Sequence, residues 1–488
     1  MVAVAVKRGT PPEPDAAGAV AADRYGVDLA AVVAAEKVSG RAGEVVRAPV
    51  QAPEGLPGRL FLVGIGDGSA TELRRAGAGL ARAVRGKKRL ITSLADGAGA
   101  DVVRALVEGL LLGGYAQPSA GLRKRTDSAA VREIALVGSV SEAGVEVGRV
   151  HALATVRARD LAATPSNTKN PAWFADLAVA EAEAAGLTVR VWDEHELAAD
   201  GFGGLLAVGA GSPTPPRLVR IDYRPEDDGR RASRGASRRA PGRGAGPVVL
   251  VGKGITFDTG GLSIKPREGM VAMKTDMAGA GAVLAVLLAC PQLGVRRPVT
   301  GLLALAENAV SGSAYRPSDV VRHYGGRTVE VTNTDAEGRM VLADALAYAD
   351  AELDPDVVVD VATLTGAVTV GLGRRHAGLF TGDDRLAAAL EEASAACGEG
   401  VWRLPLVEEY RRTLDSSVAD LRHVGSDHKI GAGAVVAALF LREFAGGRCW
   451  AHLDIAGTGR SDSGEHEVTR GPTGYGARLL LRWLETLR

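Results

Sequence analysis

Two charged clusters in the middle of the chain carry side chains whose types and spacing could do chemistry. One is Asn333-Thr334-Asp335-Ala336-Glu337-Gly338-Arg339, where two carboxylates and a guanidinium fall within five residues. Taken alone it reads as a helix cap, because Thr334 and Glu337 have the S/T-x-x-E spacing of a capping box and a helix-like run follows at 340–349. The other cluster, upstream, holds Lys253, Asp258, Lys265 and Asp276. Asp276 also has a structural alternative, as a cap for the small-residue helix that follows it.

Together, Asp258, Asp276, Asp335 and Glu337 supply four carboxylates, and neither cluster contains a histidine. Converging in a partly buried crevice, they would repel one another unless cations neutralised them. Two divalent ions bridged by shared carboxylates meet that demand. Such a pair sits about 3.5–4 Å apart, holds a bridging hydroxide as nucleophile and polarises a carbonyl. Oxygen donors favour hard ions, with manganese, magnesium and zinc all compatible. The lysines fit two roles: a neutral amine beside a dication can ligate it, whereas an ammonium can stabilise a carbonyl oxygen or an oxyanion. Arg339 keeps its proton, and its planar fork suits an anion. These groups suggest metal-assisted hydrolysis of a carbonyl compound.

Positioning such a set calls for an α/β framework. Buried strands are expected at 248–251, 299–305, 356–362 and 450–455, with helices at 278–288, 343–351 and 432–444. Ligands gather at the carboxyl ends of strands in α/β sheets, and Lys253 and Asp258 lie just past one. Earlier, strands at 60–65, 89–93 and 134–137 alternate with helices at 70–84 and 100–112, and a long helix is expected over 142–162. The expected organisation is an N-terminal α/β domain at 1–150, with an assembly or regulatory role, and a larger α/β catalytic domain at 151–488. The second has a mainly parallel central sheet flanked by helices. Gly64, Gly66, Asp67 and Gly68 do not make a G-x-G-x-x-G pattern and read as a structural turn. Residues 224–246 hold seven arginines among Gly, Ala, Ser and Pro and read as a disordered surface insertion.

The 58 basic and 58 acidic side chains cancel, which removes any argument from composition for a nucleic-acid or anionic-membrane partner. The arginine-rich insertion has no aromatic residue to stack on bases. Cys290, Cys397 and Cys449 have no metal-like spacing and read as buried thiols of a reducing compartment. At the N-terminus an apolar run precedes the basic residues, opposite to a signal peptide, and no uninterrupted apolar stretch approaches the roughly 20 residues of a bilayer span. A cytoplasmic protein is expected.

NTDAEGR at 333–339, GKGITFDTGGLSIKP at 252–266 and MKTDM at 273–277 resemble the leucyl aminopeptidase family of cytosolic metallopeptidases. The likeness continues through Ala306-Glu307-Asn308, Arg316-Pro317, Ala362-Thr363-Leu364-Thr365-Gly366 and His452-Leu453-Asp454-Ile455-Ala456-Gly457. It covers the C-terminal two thirds, and the N-terminal third agrees only in α/β character. The resemblance implies two metal ions per subunit, manganese or zinc. Asp258 and Glu337 would bridge them, Lys253 and Asp276 would complete the tighter site, and Asp335 the more exchangeable one. It implies that Lys265 polarises the scissile carbonyl and that Arg339 holds a bicarbonate acting as general base. Met273, Thr363, Gly366 and Ala456 match positions lining the pocket for the first side chain. The scattered His376, His423, His428 and His452 match no ligand position and read as structural or surface residues. The implied activity is release of unblocked, leucine-like N-terminal residues from peptides in intracellular turnover, by a homohexamer. Because some bacterial relatives also serve as transcription or recombination factors, DNA binding stands as the alternative.

Overall fold

The computed structural model describes residues 1–51, 54–118, 129–225 and 246–487, so nearly all of the arginine-rich insertion lies outside the described residues. The chain forms two compact units, Met1–Val156 with Ser461–Gly471, and Arg157–Arg460 with Pro472–Arg488.

The first unit is built on strands β1 (Val2–Lys7), β2 (Val45–Ala48), β3 (Leu60–Gly64), β4 (Arg89–Thr92) and β5 (Glu133–Leu136), in the order β2-β3-β1-β4-β5. β1 is parallel to both neighbours, β4 is parallel to β5, and β2 runs antiparallel at the edge. Helices α1 (Ala70–Ala83) and α2 (Ala100–Gly114) pack together, and apolar residues from both join one core with Ala3, Ala5 and Val63. The central position of β1 is a finding: its alternating Val-Ala-Val-Ala-Val run is buried on both faces, as a strand inside a parallel sheet must be. Ser461–Gly471 joins this unit from far along the chain.

The second unit contains an eight-stranded sheet. Its strands are β6 (Thr188–Trp192), β7 (Arg217–Tyr223), β8 (Val248–Asp258), β9 (Val299–Asn308), β10 (Val357–Ala362), β11 (His376–Thr381), β12 (Gly400–Arg403) and β13 (Cys449–Asp454). The order is β12-β11-β13-β10-β8-β9-β7-β6, with β13, β10, β8 and β9 mutually parallel at the centre. These four are the apolar runs that read as buried strands, and parallel strands covered by helices need such runs. Their register brings the carboxyl ends together, pairing Asp258 with Asn308 and Ala362 with Asp454.

Helix α4 (Ala278–Leu293) packs against β8, β9 and β10. Residues 267–293 pass for a membrane span by length and hydropathy, but the stretch is mostly buried inside the protein, as a core helix is. Helix α5 (Glu337–Tyr348) covers the same sheet through contacts with β8 and β9, and its Met340, Val341 and Leu342 join the main hydrophobic core. The three cysteines are free, Cys290 and Cys397 buried and Cys449 half-buried, so the last departs from the expectation. Cys449 starts β13, and its thiol lies 3.4 Å from Asp383 Oδ2.

Candidate metal centre

β8 is eleven residues long, well beyond the short apolar run legible in the sequence. Lys253 therefore lies within the strand and Asp258 is its last residue. The Lys253 side chain is buried and its Nζ lies 2.8 Å from Asp276 Oδ2 and 2.8 Å from Glu337 Oε1. It also donates to the Thr363 carbonyl at 2.9 Å. Its stem passes so near the start of α5 that a Cβ on Gly338 would meet Lys253 Cε at 2.5 Å, which is why glycine stands there.

Lys265 Nζ reaches Asp258 Oδ2 at 2.7 Å and Asp335 Oδ1 at 2.5 Å. The two lysines thus divide one carboxylate set between a closed and an open side. Lys253, Asp276 and Glu337 side chains are 3, 6 and 2% exposed, whereas Lys265 and Asp335 are 16 and 33% exposed. One oxygen from each of Asp258, Asp335 and Glu337 falls within a 4.8 Å cluster.

Electrostatics follow from this crowding. Burial presses Lys253 toward neutrality, yet the charges of Asp276, Glu337 and Asp258 outweigh it and hold its pKa above the ordinary lysine value. Lys265 is raised in the same way, chiefly by Asp258 against its own burial. Burial pushes Asp276 up to about 8 despite the pull of Lys253, and burial together with Glu337 raises Asp258. A dication in the cluster would reverse these directions, favouring ionised carboxylates and a neutral amine.

Neither cap alternative describes the structure. The residue before α5 is Ala336, with no side-chain cap bond, and Thr334 Oγ1 instead donates to the Gly260 carbonyl at 2.7 Å and accepts from Ser263 N at 2.7 Å. Before α4 stands Met277, also without a side-chain cap bond, while Asp276 Oδ1 accepts from Lys253 Nζ and from Thr363 Oγ1 at 2.7 Å. Both carboxylates face the cluster.

Arg339 is buried, donates through Nη1 to the His423 carbonyl at 2.6 Å, and has no hydrogen-bond partner at Nε among the described residues. Burial lowers its pKa to about 10, so it remains a cation. His423 proves structural: Nε2 lies 2.8 Å from the Asn333 carbonyl, and Nδ1 lies 3.2 Å from the Glu330 carbonyl and 3.4 Å from Thr332 N. Burial and the Arg339 charge hold its pKa to about 3, so the ring is neutral. His452 is likewise structural, buried against Asp360 at 2.5 Å.

Of the pocket candidates, Thr363 is tied directly to Asp276, and Met273 is half-buried three residues before it, its carbonyl accepting from Asp276 N at 3.2 Å. Gly366 faces open space, and Ala456 is half-buried with its amide on Asp454 Oδ1 at 3.1 Å. Two residues not singled out from the sequence hold this region in place. Asn308 Nδ2 donates to Asp258 Oδ1 at 2.8 Å and to the Thr334 carbonyl at 3.0 Å. Buried Asp454 accepts from Leu364 N at 3.1 Å and from Thr365 N and Oγ1 at 3.1 and 2.6 Å, besides Ala456 N. A carboxylate at the end of a buried strand was the available signal for Asp454, but its partners were not legible.

The cytosol aminopeptidase family's catalytic-domain model matches residues 156–481, and its N-terminal-domain model matches residues 3–119. The chain belongs to the cytosol aminopeptidase family. Curated members include a probable cytosol aminopeptidase of Streptomyces coelicolor, 42% identical, covering 99% of this chain and 95% of that protein. Another, from Leifsonia xyli, is 43% identical over 94% of this chain and 90% of its own. A solved structure described as the bottromycin maturation enzyme BotP in complex with Mn superposes with a TM-score of 0.84 at 38% identity, covering 99% of this chain and 98% of that one.

As a member of this family the protein is a metal-dependent exopeptidase, a hydrolase of peptide bonds. The donor set fits that dependence on structural grounds. Four carboxylates share a buried site with two ammonium groups, and Glu337 Oε2 is buried without a hydrogen-bond partner among the described residues. A buried, unpaired carboxylate oxygen is costly, and a cation removes that cost.

Proposed function

We propose that this aminopeptidase releases unblocked, leucine-like N-terminal residues from peptides in intracellular turnover, using two divalent ions. The observation carrying this reading is the split carboxylate set. Asp258 and Glu337 would be shared between the ions, Lys253 and Asp276 would complete the closed site, and Asp335 the open one. When bound, the ions would supply a nucleophile at neutral pH and Lewis acidity toward the carbonyl. Manganese is supported by the related structure in complex with Mn.

The chain's own residues take the remaining roles. Lys265, on the open side, points its ammonium at the carboxylates and would turn it to the scissile carbonyl oxygen, stabilising the charge that grows there. Arg339, with its unpartnered buried Nε, would anchor bicarbonate as the general base. The small or apolar Met273, Thr363, Gly366 and Ala456 would line the pocket for the first side chain. A homohexamer in the cytoplasm, with the N-terminal unit serving assembly or regulation, completes the proposal.

The test is hydrolysis of leucine p-nitroanilide after metal stripping and separate readdition of manganese and zinc. Activity restored by either ion supports the reading, and none with any ion sinks it. A panel of unblocked dipeptides checks the leucine preference, and mass measurement of the native assembly checks the hexamer. The zero net charge argues against the DNA-binding alternative and the arginine-rich insertion mildly for it, and a salt-dependent mobility shift discriminates the two.

A further inference from the structure

We propose that the N-terminal unit contains a binding site for a small phosphate monoester, separate from the peptidase centre. A cavity of about 510 Å³ lies in this unit, lined by Arg8, Arg41, Arg75, Arg82 and His466 among others. Arg8 directly follows the end of β1, and Arg41 begins the stretch leading into β2, whose first residue Val45 pairs with Val63 near the end of β3. The cavity therefore sits at the carboxyl ends of the parallel strands β1 and β3, where α/β sheets collect ligands.

The guanidinium groups around it are poorly neutralised. Arg41 and Arg75 have no side-chain ion pair or hydrogen bond among the described residues, and Arg8 has one distant pairing, 3.8 Å to Glu72. Arg82 donates to the Val468 carbonyl at 3.0 Å. Three carboxylates, Glu44, Glu72 and Glu465, share the wall with the four arginines and offset their charge only in part. Glu44 binds Ser39 through its amide at 2.9 Å and hydroxyl at 2.8 Å, and Glu72 accepts from Asp67 N at 2.5 Å. Glu465 lies 3.4 Å from His466. The Glu72 contact also explains the glycine-rich turn after β3: its amide is taken by the protein's own carboxylate, so a phosphate would be held by the arginines.

The site is built rather than incidental. A Cβ on Gly79 would meet the Gly43 carbonyl oxygen at 2.4 Å, so α1 and the 40–44 loop are pressed together, holding Arg75 and Arg41 beside one cavity. Four guanidiniums facing three carboxylates leave an excess of positive charge in the cavity, which a phosphate dianion would offset while matching their planar forks. The lining residues include no phenylalanine, tyrosine or tryptophan to stack a base, and the volume exceeds that of a bare phosphate, which points to a phosphate on a small polar body.

Isothermal titration of the manganese-loaded enzyme with glycerol 3-phosphate tests this. Saturable binding is expected, weakened about tenfold or more in an Arg41→Ala/Arg75→Ala double variant, about 1.4 kcal/mol for each factor of ten. Both arginines are exposed, so the variant should fold, and its hydrolysis of leucine p-nitroanilide without phosphate should match the wild type. Absence of saturable binding by the wild type overturns the proposal. So does equal affinity in the double variant, which would place the ligand elsewhere. Adenosine monophosphate in a parallel titration should bind no more tightly than glycerol 3-phosphate, and markedly tighter binding would overturn the assignment of a small polar body.

Discussion

Lys265 and Lys253 are the same residue type in one carboxylate cluster, yet their surroundings assign them different work. Lys253 is held by Asp276, Glu337 and the Thr363 carbonyl, whereas Lys265 has only Asp258 and Asp335 among the described residues and retains some exposure. Lys265→Ala should therefore keep its metal, by elemental analysis, and lose about 10²–10³ in kcat, the usual worth of an oxyanion contact. Near wild-type turnover would remove Lys265 from the chemistry. Asp454 acts through others, since its carboxylate fixes the Leu364, Thr365 and Ala456 amides at one point. Asp454→Asn replaces an acceptor with a donor facing those amides and should raise the KM for leucine p-nitroanilide about 10–100-fold, the range typical of supporting residues. Bound metal should be unchanged, and a parallel loss of metal would assign Asp454 to the metal site instead.

Three element ends converge on the site: the carboxyl end of β8, the first turn of α5 and the short 3-10 turn Met273–Thr275. Glu337 is the first helical residue of α5, so its carboxylate stands at the positive end of the helix. The turn is fastened to another helix, α3 (Glu142–Ala163), by buried Lys169, which donates to the Leu161, Ala162 and Lys274 carbonyls at 2.9, 3.3 and 2.7 Å. Burial, then the nearby Lys274 charge, lowers its pKa from 10.5 to about 7. Between those values the unfolded chain binds the extra proton, so Lys169 makes stability rise with pH, while below about 7 the full cost of burying the charge is present. In urea unfolding at about pH 7 and about pH 9, the wild type should gain stability relative to Lys169→Met as pH rises. A constant difference would show that the pKa is not depressed.

At the scale of the whole molecule, all five tryptophans, Trp173, Trp192, Trp402, Trp450 and Trp483, belong to the second unit, so tryptophan fluorescence reports the unit that carries the candidate metal centre. Manganese at a hundredfold excess over its dissociation constant should stabilise that unit by about 2.7 kcal/mol and raise its fluorescence melting temperature. An unchanged melt would contradict metal binding in the cluster. The sequence by itself determined the metal-dependent hydrolase class and the broad α/β order: carboxylates, lysines and an arginine at those spacings state a local chemical demand, and long apolar runs mark buried strands wherever they lie. Other features were decided only by tertiary structure. β1 reads as a terminal apolar stretch until β3 and β4 pair with both of its edges. The Thr334 and Glu337 spacing mimics a helix cap until Gly260 and Ser263 claim the threonine. Asp454 meets Leu364 across 90 residues, and Ser461–Gly471 returns to the first unit from the far end of the chain. Contacts of that range arise from strand register and close packing, which no local spacing encodes.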